Sequence, residues 1–466
     1  MSRWILYVSR RVFHIVLDEW LLIPSTHSVE SIAMNISDFN ARAETRAGKL
    51  YFDGVDTTAL AAQYGTPLYV VSESMVRERC RLIRSAFLEK YPNTRAVYAS
   101  KAFQTLDMCR IVDEEGLGID VVSGGELFAA LKSGIDPEKI IFHGNAKAAD
   151  ELDYAVRSGV GRIVSDNLHE IAEIERLGLR YGVSSKVLYR ITPGVDSHTH
   201  RFISTGSLDS KFGIPLDPAV RDSYMRAVLD SPHIDFKGFH FHVGSQLHDN
   251  FSHLAALGVA LKLVADVKST YGYEAAELNL GGGFGIRYLP SDPEPDLSYF
   301  IDPMMELVLL ASSEAGIPMP RVTIEPGRWI IGEAGITLYE IRSLKTIPGI
   351  RTYVGVDGGM ADNIRPALYE AKYHALVANK AGMEPDTLVT VAGKCCETGD
   401  ILIRDISLPD PLPGDVLAVF STGAYNHSMA SNYNRIPRPA VVMTNNGSHR
   451  LSVRRETYED LVARER

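Results

Sequence analysis

The chain has 466 residues, which is more than one ordinary hydrophobic core holds, so two domains are expected. Hydrophobic residues make up 45% and charged residues 23% of it, a balance that argues against disorder and against a multi-span membrane protein. The net charge of -10 and the lack of a stripe dense in lysine and arginine disfavour nucleic acid as a partner.

Residues 1–35 contain two apolar runs, 4–8 and 20–23, which Arg10, Arg11 and Asp18 separate. Both runs fall well short of the ~20 residues that a membrane-spanning helix needs, and no small-residue cleavage site of a signal peptide follows cleanly. We therefore expect no membrane anchor here. The segment is predicted to be an extension outside the fold, either amphipathic or, as we favour, preceding the true start at Met34.

From residue 68 to residue 324, short apolar runs alternate with longer segments in which the apolar residues have helical spacing. The runs are residues 68–71, 96–99, 119–122, 140–142, 162–164, 187–190, 239–242 and 277–280, and the helical spacing is found at 127–133, 168–177 and 253–270. Continuous apolar runs are typical of buried parallel strands. Repeated strand–helix units over about 250 residues predict an α/β domain of the (β/α)8 TIM-barrel type.

After Glu325 the sequence changes to β-rich segments with little helical spacing. These segments are residues 335–341, 352–356, 388–391, 416–420 and 440–443. Pro411, Pro413 and Gly414 form a turn of the kind that connects strands. A second, all-β domain is therefore predicted over residues 325–466.

Lys101 is placed at the end of the apolar run 96–99, a predicted barrel strand. Desolvation there would lower the pKa of the amine, so that the neutral nucleophile is available near pH 7 and can condense with an aldehyde. The alternative is a strand-end lysine whose ammonium group reaches solvent. Barrel enzymes carry their chemistry at the C-terminal ends of the strands, which favours the first interpretation.

Six motifs follow Lys101 in the sequence. They are 242–245 (HVGS), 281–285 (GGGFG), 325–328 (EPGR), 365–369 (RPALY), 395–400 (CCETGD) and 424–425 (AY). Together with Lys101 they resemble the fold type III pyridoxal-phosphate-dependent decarboxylases, which have an alanine-racemase-like barrel. The resemblance covers about residues 52–455. It implies a pyridoxal 5'-phosphate cofactor, a β-domain that residues 36–67 join, and a homodimer with shared active sites.

The resemblance implies a role in cofactor binding for several of these residues. Lys101 would form the Schiff base with the cofactor. The phosphate group would be bound by Ser245, Gly281, Gly282, Gly283 and Tyr425. Glycines leave backbone N–H groups free to contact a phosphate, where side chains would obstruct it. Taken alone, a triple glycine is more often only a tight turn.

His242 and Glu325 would contact the cofactor ring. The resemblance implies that the His242 imidazole stacks on the ring and that the Glu325 carboxylate keeps the pyridine nitrogen protonated, which favours decarboxylation. Alanine racemases have an arginine in the role of Glu325. His240 and His242 lie two apart on a strand, so a pair of metal ligands and a pair of core histidines stay open as alternatives. For Glu325 the alternative is a structural salt bridge.

The resemblance implies that the substrate is bound by Arg328, Arg365, Tyr369, Glu397 and Tyr425. Of these, Arg328, Arg365 and Tyr369 would bind its far end. Guanidinium groups match carboxylates in a bidentate fashion, so two arginines suit a diacid better than a diamine. The implied reaction is decarboxylation of meso-diaminopimelate to L-lysine and CO2, the last step of lysine biosynthesis. The segments 194–200, with His198 and His200, and 210–213 also resemble the branch of the family that acts on this diacid.

Cys396 would be the acid that protonates Cα after CO2 has left, on a loop that crosses the dimer interface into the partner's site. The alternative is that Cys395 and Cys396 are two buried structural thiols. Adjacent cysteines do not suit a disulfide framework, and no CxxC pair suggests a zinc site, so a reducing cytoplasm is favoured.

Other functions remain open from the sequence. The nearest is another decarboxylase of the same fold, acting on ornithine, arginine or carboxynorspermidine. A metal-dependent barrel hydrolase built on His240 and His242 is a second alternative. A non-catalytic relative is disfavoured because Lys101 is present.

Overall fold

The structure is a computed structural model that describes residues 35–195, 209–293 and 296–466. The predicted N-terminal extension up to residue 34 and the histidines His198 and His200 lie outside the described residues. Among the helices that are described, none is both long and apolar enough to cross a membrane.

The leading segment forms a small antiparallel sheet. In the sequence, one helix precedes this sheet and another follows it. Its elements are α1 (Ile36–Phe39), β1 (Ala43–Arg46), β2 (Lys49–Phe52), β3 (Val55–Asp56) and α2 (Thr57–Tyr64). The Asp56 carboxylate begins α2 by accepting hydrogen bonds from the first free N–H groups of that helix. Phe52 and Leu60 are buried in one cluster with Leu338 and Phe420. The leading segment thus packs against strands from the end of the chain.

Strand β4 (Leu68–Ser72) corrects the predicted start of the barrel. It pairs antiparallel with β13 (Gly335–Ile347) and parallel with β19 (Ala440–Asn445), so the run 68–71 belongs to the second sheet. Its alternate side chains enter two different core clusters, Val71 one and Val70 the other. A strand buried on both faces has the same apolar pattern in either sheet, and the pattern alone therefore could not place it. Helix α3 (Glu73–Ile83) follows it.

The predicted (β/α)8 barrel is confirmed as a closed barrel of eight parallel strands. The strands are β5 (Thr94–Ala99), β6 (Gly118–Val121), β7 (Ile140–Phe142), β8 (Arg162–Ser165), β9 (Ser185–Arg190), β10 (Ile234–His240), β11 (Glu277–Asn279) and β12 (Arg321–Ile324). Seven of them match runs that were predicted, and β12 takes the place of the run 68–71. Inside the barrel, Val97, Ile141, Val164 and Leu188 form an apolar cluster.

Helices cover the outside of the barrel. They are α4 (Leu106–Glu114), α5 (Gly124–Ser133), α6 (Ala149–Ser158), α7 (Leu168–Tyr181), α8 (Pro218–Leu229), α9 (Phe251–Tyr271) and α10 (Leu297–Ala315). Short side-chain caps begin several of them; Ser123 accepts a hydrogen bond from Glu126 N, and Asn167 accepts one from Glu170 N. This order of strands and helices brings all eight strand ends to one face of the barrel.

The second domain is a nine-stranded sheet, and the prediction of a separate β-domain is confirmed. Besides β4, β13 and β19, its strands are β14 (Arg351–Val356), β15 (Ala375–Val377), β16 (Thr387–Ala392), β17 (Ile401–Leu408), β18 (Val416–Val419) and β20 (Ser448–Val453). Three short helices accompany them: α11 (Arg328–Ile331), α12 (Arg365–Tyr369) and α13 (Tyr458–Val462). Helix α12 and the loop that precedes it lie at the face of the barrel where the strands end.

Candidate active site

Lys101 lies on a single 3-10 turn, Ser100–Ala102, directly after the first barrel strand β5. Its side chain lines a cavity of about 680 Å³ at the ends of the barrel strands. Eight of the predicted site residues line this cavity: Lys101, His242, Ser245, Glu325, Arg328, Arg365, Tyr369 and Tyr425. The last four come from the second domain, so both domains form the cavity.

The surroundings of Lys101 correct the expectation of a neutral amine. Burial lowers the pKa of this lysine, but the interactions with Tyr425, Asp120 and Glu325 outweigh it and raise the pKa above the ordinary value. The amine of the cofactor-free chain is therefore protonated at pH 7. It has to pass a proton to a neighbouring base before it can act as a nucleophile.

Asp120 is a site residue that the sequence analysis missed. It lies on β6, lines the cavity, and accepts a hydrogen bond from Ser100 N at 3.2 Å. Burial, with a smaller effect of the Glu325 charge, raises the pKa of Asp120 to about 7. A carboxylate whose conjugate acid has this pKa lies beside the Lys101 ammonium group and can accept its proton. The available signal was a carboxylate in the middle of the apolar run 119–122, since charged residues rarely occur in such strands.

Glu325 directly follows β12, and its carboxylate accepts three buried hydrogen bonds. His143 Nε2 lies 2.7 Å from Oε1, Asn279 Nδ2 lies 2.7 Å from the same oxygen, and His240 Nε2 lies 3.2 Å from Oε2. Burial would raise the pKa of Glu325, but the charge interactions and hydrogen bonds of His143 and His240 lower it well below the usual range. Glu325 is therefore a carboxylate at neutral pH, and no lysine or arginine forms its partner within the described residues.

The two histidines of the His-x-His pair have different partners. His240 contacts Glu325, whereas His242 Nδ1 accepts a hydrogen bond from Gly282 N at 3.3 Å. Burial lowers the pKa of His240 to about 3 and that of His242 well below its usual value, so both imidazoles are neutral. A neutral ring that lines the cavity, as His242 does, can stack on an aromatic ligand.

The residues that could hold a metal ion are not the two histidines of the His-x-His pair. His143, His240 and Glu325 have ligand-type atoms within 4.8 Å of one another, and His242 is not among them. Each of these atoms already takes part in a hydrogen bond inside the group. The arrangement is that of a carboxylate bound by hydrogen-bond donors.

The glycine segment 281–283 packs its backbone closely against neighbouring loops. A Cβ atom on Gly282 would lie 2.2 Å from Glu325 O, and one on Gly283 would lie 2.6 Å from Gly244 O. Gly281 and Gly283 also have positive φ angles, of 68° and 107°. Only glycine fits these positions, and it brings the backbone next to Ser245 and Arg328 at the base of the cavity.

Arg328 and Arg365 provide two buried positive charges. Both guanidinium groups lie over the Tyr288 ring, at 5.7 Å and 4.8 Å from its centroid. Arg328 Nη2 donates to Ser245 Oγ at 2.9 Å, and Arg365 Nη1 donates to Tyr373 OH at 2.5 Å. The Nε atoms of both arginines are buried without an acceptor among the described residues. Such donors are suited to an anionic ligand.

Helix α12 presents two of the predicted substrate residues together. Arg365 and Tyr369 are four residues apart on it, which places them on one side, and both line the cavity. Arg328 lies closer to Ser245 and to the Tyr425 ring, with its guanidinium carbon 4.8 Å from the ring centroid. Arg328 therefore lies between the glycine segment and the α12 side of the cavity.

Cys396 and Glu397 are not among the residues that line the cavity of the described chain. Cys396 is exposed and its backbone N–H donates to Asn434 Oδ1 at 2.7 Å, whereas Cys395 is buried. Asp400 fixes the loop by accepting the N–H groups of Cys395 and Met360, at 2.8 Å and 2.7 Å. Burial and the nearby Asp400 carboxylate raise the pKa of the Cys395 thiol to about 12. The alternative of two buried structural thiols therefore fails for Cys396.

The residues around the cavity fit pyridoxal phosphate. Lys101 would supply the amine, and His242 would supply a neutral ring that can lie on a pyridine face. Glu325 would supply a carboxylate for the ring nitrogen. Ser245 and the backbone of Gly283 would supply donors for a phosphate group. These groups would hold the cofactor with its ring between the barrel strand ends and the second domain.

Comparisons with known proteins agree with this fit. Residues 73–332 match the family model of the pyridoxal-dependent decarboxylase, pyridoxal binding domain. A diaminopimelate decarboxylase of Bacillus subtilis (strain 168) is 48% identical over 419 residues, 90% of this chain and 95% of the relative. One of Bacillus methanolicus is 47% identical over 409 residues, 88% of this chain and 95% of the relative.

Solved structures show the same relationship. The crystal structure of a diaminopimelate decarboxylase from M. jannaschii in complex with L-lysine has a TM-score of 0.86 and 34% identity, covering 91% of this chain and 98% of that one. A lysine/ornithine decarboxylase from Vibrio vulnificus, with a TM-score of 0.70 and 21% identity, covers 84% of this chain and 97% of its own, and shares the fold. The chain belongs to the family of pyridoxal-dependent decarboxylases that includes the diaminopimelate decarboxylases.

Proposed function

We propose that this protein decarboxylates meso-diaminopimelate to L-lysine and CO2. The observation that carries the proposal is one cavity with Lys101 and Glu325 at the barrel strand ends and the buried Arg365 guanidinium on its α12 side. Diaminopimelate has a distal carboxylate that a guanidinium group can bind, whereas ornithine and arginine carry a positive charge at that end. Relatives that are 48% and 47% identical to this chain carry the corresponding name.

The residues of this chain would prepare the cofactor for the reaction. Bound pyridoxal phosphate supplies an electron sink for the electron pair that remains when CO2 leaves. Lys101 would hold the cofactor through its amine, and the Asp120 carboxylate can accept the proton that the ammonium group of Lys101 gives up. Glu325 holds a proton at the ring nitrogen, because its carboxylate stays ionised next to that position. His242 orients the ring by contact with its face.

The side of the cavity that the second domain forms would bind and orient the substrate. Arg365 and Tyr369 would bind the distal carboxylate, and Arg328 would add positive charge between that end and the phosphate group. CO2 leaves from the carbon that is joined to the cofactor, so L-lysine keeps the distal carboxylate, and these contacts would anchor the far end of the substrate throughout the reaction. A substrate whose far end carries a positive group and no carboxylate, such as ornithine or arginine, would leave the arginines without an anion and would be disfavoured.

A second copy of the chain would complete the site. Cα needs a proton after CO2 has left, and we assign this to the Cys396 thiol of the other subunit, with Glu397 beside the substrate. Both residues are exposed and lie outside the cavity of their own chain, which supports a homodimer with shared sites. All four cysteines are free, which supports a reducing compartment such as the cytoplasm.

The test is release of CO2 by the purified protein loaded with pyridoxal phosphate, measured in parallel on meso-diaminopimelate, ornithine and arginine. We expect kcat/KM for meso-diaminopimelate to exceed that for either basic amino acid by at least about 100-fold, because neither basic amino acid has a distal carboxylate for the two arginines to bind. Comparable or faster turnover of ornithine or arginine would replace the proposal with a basic amino-acid decarboxylase.

A further inference from the structure

We propose that His143 and His240 are positioning residues that clamp the Glu325 carboxylate and leave one oxygen lone pair of it for the ring nitrogen of the cofactor. The inference rests on the proposed function, because it needs pyridoxal phosphate in the cavity. It goes beyond that function in naming what fixes the carboxylate. His143 belongs to none of the sequence motifs. From the sequence, His240 was expected only to be a metal ligand or a core residue.

The clamp is built from four separate strands of the barrel. His143 directly follows β7, His240 ends β10, Asn279 ends β11, and Glu325 directly follows β12. All four side chains are buried. The imidazole rings of His143 and His240 also contact each other edge to face, with 4.7 Å between their centroids. Because each side chain projects from the end of a rigid strand, the carboxylate is held from three directions.

Counting lone pairs shows what the clamp leaves free. A carboxylate has about four acceptor sites, two on each oxygen. Oε1 accepts from both His143 Nε2 and Asn279 Nδ2, and Oε2 accepts from His240 Nε2. Three sites are therefore used. One site remains, on Oε2, and the N–H of a pyridinium ring can use it.

The direction of these hydrogen bonds follows from the charge of Glu325. An ionised carboxylate only accepts, so both Nε2 atoms carry the hydrogen. In His240 the other ring nitrogen, Nδ1, is buried and has no partner among the described residues, so nothing there draws the hydrogen away from Nε2. His240 and Asn279 are neutral donors, and they stabilise the carboxylate without adding the full charge of a lysine or arginine.

The clamp also determines where the shared proton lies. A carboxylate that accepts three hydrogen bonds is a weaker base than one that accepts none, because its negative charge is already stabilised. A proton between Glu325 and the pyridine nitrogen is therefore held on the nitrogen. Loss of one clamping donor would allow the carboxylate to turn away from the ring, and the more basic carboxylate would take a larger share of the proton. Both effects would leave less of the proton on the ring nitrogen.

The experiment compares two cofactors on the apo-protein by fluorescence titration. One is pyridoxal phosphate and the other is 1-deazapyridoxal phosphate, in which CH replaces the ring nitrogen. The variants are His143→Leu, which removes the donor at similar volume, and His143→Gln, which retains an N–H donor. His374→Leu is the control, because His374 packs between Phe39 and Phe420 of the other core, away from Glu325.

We expect His143→Leu to weaken binding of pyridoxal phosphate by about 10-fold or more and to leave binding of the deaza analogue within about twofold of the parent. His143→Gln should recover most of the affinity, and His374→Leu should change neither. With the cofactor at saturation, kcat of His143→Leu should fall about 10- to 100-fold while KM stays within about threefold. Equal weakening for both cofactors would mean a general structural role and would overturn the proposal.

Failure of the clamp and failure of the proposed function give different results. If His143→Leu does not fold, His240→Leu is compared in the same way, and an unchanged preference for pyridoxal phosphate over the deaza analogue overturns the clamp. If the parent protein itself binds neither compound, the proposed function fails, and the clamp fails with it. A parent that binds pyridoxal phosphate and a variant that retains the full preference would refute the clamp alone.

Discussion

The barrel end around Glu325 and the loop that carries Cys396 are held in different ways. Glu325 is buried and accepts three hydrogen bonds from side chains on three other strands. Cys396 and Glu397 are exposed, and the loop is held by backbone N–H groups that donate to Asp400 and Asn434. Glu325 thus has its hydrogen-bond partners within one copy of the chain, whereas Cys396 and Glu397 do not line the cavity of their own chain. Each region calls for a different kind of experiment.

The largest effect is expected for the barrel end. Lys101→Ala should reduce CO2 release from meso-diaminopimelate by at least about 1000-fold, because the amine that holds the cofactor is lost. Borohydride reduction of the loaded parent, followed by peptide mapping, should place the pyridoxyl group on Lys101. A label on Lys147, a buried lysine that follows β7, would disprove the assignment.

Arg365→Ala tests the second-domain side of the cavity. Removal of the guanidinium group leaves a substrate carboxylate unpaired, which costs about 2 to 5 kcal/mol. That loss corresponds to a fall of roughly 30-fold to several thousand-fold in kcat/KM for meso-diaminopimelate. The matched control is Arg342→Ala, since Arg342 is exposed and pairs with Glu340. A value for Arg365→Ala within twofold of the parent would contradict its assignment to the distal carboxylate.

The two adjacent thiols should differ in reactivity. Burial raises the pKa of Cys395 to about 12, so that little thiolate forms there at pH 8, and the side chain is covered. We expect a thiol reagent to label Cys396 at least about 10-fold faster than Cys395 in a dilute, monomeric sample. Mass spectrometry of the digested protein measures both sites. Equal rates would mean that the loop does not hold Cys395 inside.

Asp120 should make the cofactor-free protein sensitive to pH. Its pKa is about 7 in the folded chain and near 3.8 when unfolded, so the folded state binds a proton more tightly. The stability from this group is present below the lower value and is lost as the pH rises to about 7. Asp120→Asn should therefore raise Tm by a few degrees at pH 8 relative to the parent and by less at pH 5. A larger gain at pH 5 would contradict the raised pKa.

The sequence predicted much of the barrel because each strand and helix has its own local pattern. Runs such as 119–122 and 162–164 lie in β6 and β8, and Lys101 follows β5 as expected. The run 68–71 was misplaced since an apolar strand buried on both faces looks the same in a barrel and in a sheet.

Other features depend on contacts between residues far apart in the chain. His143 and Glu325 are separated by 182 residues, and no local signal joins them. The protonation of Lys101 follows from the acids that the fold brings near it, not from its own strand. In the same way, only the loop geometry around Asp400 decides which of Cys395 and Cys396 faces outward.

The most direct test of a site shared between two copies is complementation. Lys101→Ala and Cys396→Ala subunits, each inactive alone, are mixed and allowed to exchange. A mixed dimer then has one site with Lys101 from one subunit and Cys396 from the other, so random mixing should restore about a quarter of the parent activity. No recovered activity in verified mixed dimers would mean that each chain completes its own site, and would contradict the account.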